Sequence, residues 1–212
     1  MTISYTDSIF GQLIHVFDIE SFNEVEKELI QYCYQFKKND PDGRKISNRG
    51  GWQSEKDIPK DSILYRFIKD SVVDYFKNNK IFKENIGLQI LDPWININQK
   101  GDYNLIHDHP RCDMSGVLWI KTHENAGDLV FENHSSFAQY NIMKCYSEGI
   151  CKNFHTYPQW KMKSHPGRMV IFPSDLRHGV EVNESRQDRI SVSWNIDIHT
   201  LSVKDFITRV KD

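Results

Sequence analysis

His107 and His109 stand two residues apart, and a third histidine, His178, follows 71 residues after the first. Arg189 comes eleven residues past His178, with Ser191 two further on. Two close imidazoles and one distant one can hold Fe, Zn, Cu or Ni, and three protein ligands leave coordination positions open for chemistry. A guanidinium is planar, permanently charged and able to grip a carboxylate through two hydrogen bonds. Together these residues could do metal-centred chemistry on, or with the help of, a bound acid. The other six histidines, His15, His123, His134, His155, His165 and His199, read as surface or satisfied core residues.

Such a site needs strands to position it. From about residue 87 the chain runs in short apolar stretches, GLQILDPWININ, LVFEN, RMVIFP, HGVEVN and RISVSWNI, most of them punctuated by Gly, Pro or Asn. That pattern predicts a β-sandwich or barrel rather than a parallel α/β fold. Strand side chains alternate faces, so His107 and His109 can point the same way while Asp108 points away. If the strand ends at His107, the turn before Pro110 still lets residue 109 curl back. In RISVSWNI, Arg189, Ser191, Ser193 and Asn195 share one face, opposite Ile190, Val192, Trp194 and Ile196. Ser193 and Asn195 are equally compatible with a solvent-facing side. Trp94, Asn96 and Asn98 likewise share a face.

The first part of the chain differs. Residues 9–17 read as a strand and residues 21–37 as a helix. Ser21 is its N-cap, and Phe22, Val25, Leu29 and Tyr32 or Cys33 recur at helical spacing. A second helix fits 60–78, with Ile63, Phe67, Ile68, Val72 and Tyr75 on one face. Between them KKNDPDGRKISNRGGWQS reads as loop, with Trp52 either closing the mouth of a site or plugging the core. The expected architecture is mostly β with flanking helices (α+β). A double-stranded β-helix, or jelly-roll, core spans 86–198, helical support spans 1–85, and the whole forms one domain over 1–212. Residues 133–165 carry Tyr140, Tyr146, Phe154, Tyr157 and Trp160 and read as a long insertion with one or two irregular strands.

Bulk properties narrow the function. With 39% hydrophobic residues, 26% charged residues and a net charge of −2, nothing draws the chain toward nucleic acid or an anionic membrane. No stretch of about 18 apolar residues predicts a membrane span. The N-terminus has no basic segment followed by an apolar run, so no signal peptide is expected and the expected location is the cytoplasm. Cys33, Cys112, Cys145 and Cys151 show no paired spacing and read as reduced thiols. A small-molecule or peptide substrate is the expected partner, and a homodimer is left open.

The stretch NQKGDYNLIHDHP…SGVLWIK…GDLVFEN…HPGRMVIFPSDLRHGVEVN…RISVSWNI resembles the 2-oxoglutarate/Fe(II)-dependent oxygenases. Within them it resembles the prolyl-hydroxylase-like branch, and there bacterial and phage members; for a phage protein the compartment would be the host cytoplasm. The resemblance covers roughly residues 87–197. It implies an enzyme that uses Fe(II), 2-oxoglutarate and O2, releases succinate and CO2, and hydroxylates a substrate. It makes His107 the first iron ligand and His178 the last. Arg189 would hold the distal carboxylate of 2-oxoglutarate, with Ser191 beside it, Asn98 where that branch often has a tyrosine, and Trp119 lining the barrel next to the co-substrate.

The chain departs from the family where a carboxylate is usual, two residues after the first histidine, since that position is His109. The expected ligand set is His107, His109 and His178, with Asp108 and Asp113 as alternates. Two other functions remain open. A cupin metalloprotein is suggested by Gly101 preceding the histidine pair and by Gly167 and Pro173 preceding His178, although its expected Glu is at best Asp113 and one expected Gly is Asp175. A jelly-roll binding module without catalysis is the other.

Overall fold

The structure is a computed structural model that describes residues 11–133 and 145–201. Strand β1 (His15–Asp18) leads into helix α1 (Phe22–Asn39). Residues 9 and 10 of the expected first strand and residues 134–144 of the expected insertion, with His134 and Tyr140, lie outside the described residues. Ser21 stands at the N-cap of α1, but its side chain accepts no capping hydrogen bond. Helix α2 (Ile63–Asn78) is capped as such helices usually are, with Ser62 Oγ accepting from Tyr65 N at 3.2 Å.

The segment between the helices is only partly loop. It contributes two short strands, β2 (Asn48–Arg49) and β3 (Trp52–Gln53). Gly50 (φ 65°) and Gly51 (φ 56°) supply the left-handed turn between them. The turn signal was legible, whereas the pairing of these strands depends on chain about 50 residues away, with β3 lying on Asn96 and Ile97.

The remaining elements are β4 (Ile86–Asn98), β5 (Tyr103–His107), β6 (Met114–Lys121), β7 (Leu129–Glu132), helix α3 (Glu148–Phe154), β8 (Gln159–Met162), β9 (Arg168–Pro173), β10 (His178–Val180) and β11 (Arg189–Thr200). All pairings are antiparallel. One sheet has the order β1-β9-β6-β11-β4-β3 and the other β2-β5-β10-β7-β8. In the expected insertion, the described part supplies one strand, β8, and the short α3, a helix that the polar and aromatic composition did not announce.

Two cores explain the alternation of β11. Ile190, Val192, Trp194 and Ile196 join Ile95, Ile97, Leu118, Met169 and Ile171 under α1 and α2, which present Leu29, Cys33, Leu64, Ile68 and Val72. A second cluster, Val117, Trp119, Leu129, Phe131, Val170, Phe172 and Leu176, lies between the sheets. Each fully buried aliphatic side chain contributes roughly 1.5–3 kcal/mol, so the helix-covered core carries most of the stability. Gly116 pairs with Trp194 across β6 and β11, and a Cβ there would meet the indole at 2.3 Å. The glycine is what lets Trp194 lie against the sheet. The polar face of β11 turns toward the inside of the roll instead of toward solvent, which is where the candidate site lies.

Candidate functional site

Strands β5 and β10 are neighbours, with His107 directly opposite His178 in the ladder. The chain leaves β5 at His107, and the following turn is fixed when His109 N donates to Ser174 O at 2.9 Å. His109 is thereby returned to the same point. One ligand-capable atom from each of His107, His109 and His178 lies within 4.8 Å of the others, and ring centroids are 4.5–5.0 Å apart.

Each ring is oriented by its Nδ1. In His107 it donates to Leu105 O at 2.8 Å, and in His178 to Leu176 O at 2.8 Å. In His109 it donates to Asn195 Oδ1 at 2.7 Å, and Ser115 Oγ, 2.8 Å from the same nitrogen, donates to Asn195 Oδ1 at 3.1 Å. Nδ1–H bonds of this kind leave the Nε2 lone pairs for a metal and fix the tautomer. Burial lowers the pKa of all three histidines, and that of His178 to about 3, with His107 as the next contribution. They are therefore neutral near pH 7, the state that binds metal.

The carboxylate alternates do not join them. Asp108 is exposed on the cavity rim. Asp113 Oδ2 accepts from Ile198 N at 2.6 Å and borders a separate open depression with Arg111, Cys112 and Asp197. Cys112 Sγ donates to His109 O at 3.3 Å. With Asp113 turned outward, the acidic ligand that a cupin signature asks for is not at this centre.

The imidazoles open into a cavity of about 340 Å³ between the sheets. Its wall includes Trp119, Ser191, Ser193, Asn195 and Arg189. Arg189 is 1% exposed. Its Nη1 donates to Ala126 O at 2.5 Å and to Glu181 O at 3.3 Å, while Nη2 is buried with no partner. No carboxylate forms an ion pair with it among the described residues. Desolvation pulls its pKa down to about 10, opposed by Asp102 and Asp128. Gly127 (φ 87°) makes the seat, since a Cβ there would lie 2.7 Å from Nη1 and 2.3 Å from Glu181 O. A buried, unpaired guanidinium is costly unless an anion arrives to meet it.

Ser191 and Trp119 face each other across the β6–β11 ladder and both line the cavity. Asn98 pairs with Arg189 across β4–β11 and is 2% exposed with an unpartnered Oδ1, but it does not line the cavity. Trp52 is a core plug, 6% exposed, with Nε1 donating to Asp40 O at 2.7 Å. The sequence leaves Asn195 open between solvent and cavity and does not point to Ser115. The signal for Asn195 was its phase with Arg189 on one strand, whereas nothing local marks Ser115.

Fold and site define a class: a double-stranded β-helix protein with three convergent imidazoles beside a buried arginine that no carboxylate pairs among the described residues. Residues 92–195 match the family described as "Putative 2OG-Fe(II) oxygenase", a span that takes in every residue of the site named above. The match, over 104 of the chain's 212 residues, points to a 2OG-Fe(II) oxygenase, an oxidoreductase. No curated protein matches the chain. Solved structures share the fold at low identity. A Pseudomonas putida prolyl-4-hydroxylase aligns at TM-score 0.58 and 11% identity over 87% of this chain and 91% of that one. The viral collagen prolyl hydroxylase of Paramecium Bursaria Chlorella virus-1 aligns at 0.54 and 13%, over 86% and 94%. HygX from Streptomyces hygroscopicus, solved with nickel and 2-oxoglutarate bound, aligns at 0.58 and 10%, over 87% and 82%. The family's cofactors are Fe(II), 2-oxoglutarate and O2, and the convergent imidazoles and the unpartnered Arg189 Nη2 fit the metal and the acid. No helix among the described residues is long and apolar enough to cross a membrane.

Proposed function

We propose that the protein is a dioxygenase that hydroxylates a small-molecule or peptide substrate while 2-oxoglutarate is decarboxylated to succinate and CO2. The observation that carries this reading is the buried guanidinium of Arg189, without a counter-ion, in the same cavity as the three imidazoles. His107, His109 and His178 would hold Fe(II), and Arg189 the distal carboxylate of 2-oxoglutarate. When bound, iron and 2-oxoglutarate together use O2 to oxidise a substrate C–H bond, one oxygen atom going to succinate and one to the product.

The chain's own groups orient and enclose. The carbonyls of Leu105 and Leu176 and the amide of Asn195 hold the imidazole planes. Ser191 offers a hydroxyl beside Arg189 for the same carboxylate. Trp119 and Phe172, each 2% exposed, make the inner wall apolar and limit water at the metal, which favours productive turnover over side reactions. Asn98 acts from behind the wall, holding β4 against β11 at Arg189; Asn183 Nδ2 donates to its carbonyl at 2.9 Å.

Protein loaded anaerobically with Fe(II) is titrated with 2-oxoglutarate by calorimetry, then given O2 and assayed for succinate. One equivalent of 2-oxoglutarate bound per metal, and succinate formed only with both present, is the expected result. Tight iron without 2-oxoglutarate binding would move the protein to the cupin reading, and no stoichiometric metal would leave a binding module.

A further inference from the structure

We infer that Arg44, on the loop that precedes β2 and over the Trp94 ring, receives the carboxylate of a small prime substrate. This rests on the 2-oxoglutarate-dependent reading above and names the substrate class of that site. Arg44 lines the cavity that holds the imidazoles. Its guanidinium sits 5.9 Å from the Trp94 ring centroid, and Trp94 lies 5.6 Å from the His109 ring. The charge and the His109 ring are thus both neighbours of the same indole.

Its mounting is rigid. Arg44 N donates to Gln53 O at 2.8 Å, and Asn48 Nδ2 donates to Arg44 O at 3.2 Å. Gly43 (φ 56°) lets the backbone pass so close to Gln53 O and the buried Trp52 indole that a Cβ would come within 2.7 Å of both. A solvated arginine needs no such support. No carboxylate pairs with Arg44 among the described residues, and its Nε is buried without a partner. Asn96, on the same cavity wall, is 6% exposed and keeps an unpartnered buried Oδ1. A charged donor and a neutral acceptor thus both await a ligand, and buried polar groups rarely stay unpaired.

Gln53 links the two, bridging to Arg44 and pairing with Asn96, so their backbones are roughly 10 Å apart, two strand spacings. The complementary molecule carries a carboxylate at one end and an N–H or ammonium group at the other. Asp92 and Asp108, exposed at the rim, disfavour multiply charged anions such as phosphate esters. The cavity of about 340 Å³ is at the low end of the roughly 300–1,000 Å³ of ligand pockets and must also admit 2-oxoglutarate. A free amino acid is the class that fits.

The test assays metal-loaded protein for succinate with the free amino acids, their carboxamides, and dipeptides of the same side chains. At least one free acid should raise turnover severalfold while its carboxamide does not. Arg44→Gln should raise KM for that acid about 10- to 100-fold, the loss expected for a charge-assisted hydrogen bond, with kcat within threefold. Arg44→Lys should recover part of the loss, a rescue that a purely structural role would not show. A panel in which no acid outperforms its carboxamide or dipeptide, or an unchanged KM in Arg44→Gln, overturns the assignment. Failure of the underlying reading shows separately, as parent protein that does not bind 2-oxoglutarate in calorimetry with nickel.

Discussion

Replacing Arg189 by Met keeps most of the side chain's length and apolar body while removing the buried charge. Two opposing effects act on the unliganded fold. Arg189 is held from its usual 12.5 down to about 10 by burial, and relieving that cost gains about 3 kcal/mol at 1.36 kcal/mol per unit. The carbonyls of Ala126 and Glu181 lose their donor, at about 1–3 kcal/mol for each group left buried and unpaired. The sum is small, so Arg189→Met should unfold within a few degrees of the parent. The liganded state differs. At 2-oxoglutarate 100 times its Kd, the parent gains about 2.7 kcal/mol, which for a chain of this size raises Tm by about 5–10 °C. Loss of a desolvated guanidinium–carboxylate pair costs about 3 kcal/mol or more, a Kd change of at least about 100-fold. The same ligand concentration then stabilises the variant by less than about 0.5 kcal/mol, or roughly 1 °C. Thermal unfolding of both proteins, loaded with nickel, with and without 2-oxoglutarate, measures this directly. If the variant keeps half or more of the 2-oxoglutarate shift, Arg189 does not anchor the acid; if it also loses the shift on nickel addition, Arg189 is a structural residue of the roll.

Asn195→Leu removes the acceptor for His109 Nδ1–H and should weaken nickel binding about 10- to 100-fold with an unchanged circular dichroism spectrum; nickel calorimetry decides. The pKa of His178 is lowered in the folded state to about 3 from 6.5, so the unfolded chain takes up the proton first. Its contribution is complete above pH 6.5 and is lost as pH falls toward 3. Metal-free protein should therefore lose about 2 kcal/mol between pH 7.5 and 5 from this residue, and denaturation midpoints of His178→Gln should fall less steeply over that interval; parallel curves would contradict this. Gly116→Ala drives a methyl toward the Trp194 indole, 2.3 Å from the ideal Cβ position, and should cost about 1–3 kcal/mol as overpacking. A Tm within 1 °C of the parent would show that Trp194 shifts freely.

The two longest-range features were also the most legible, and for one reason. Period-two alternation records which side of a strand is apolar, and an HxH pair with a distant histidine records a shared target. So His107, His178 and the interior course of Arg189 could be read without knowing the pairing partners. Two things could not be read. Alternation does not say which face meets water: Ser193 and Asn195 were as compatible with solvent as with the cavity, until helices α1 and α2 covered the apolar face with Leu29, Leu64 and Ile68. Nor does local sequence report contacts made from another sheet position. Ser115, which braces His109 and Asn195, is one serine before a glycine on β6, and the segment around Arg44 reads as loop because β2 and β3 are two residues each.

The substitution of an imidazole for the family's usual carboxylate at residue 109 is bound up with that hidden layer. A carboxylate there would carry its own charge to the metal and would need donors around it. His109 needs an acceptor for Nδ1–H, and Asn195 Oδ1, itself held by Ser115 Oγ, supplies one. The three residues form a matched set: with Asp at residue 109, the Asn195 amide would have to turn Nδ2 toward the carboxylate, and Ser115 Oγ would lose the Oδ1 acceptor it now uses. The chemistry of the centre is thus encoded by residues on three elements, the turn after β5, the start of β6 and the middle of β11, and only the first of these bears a ligand motif.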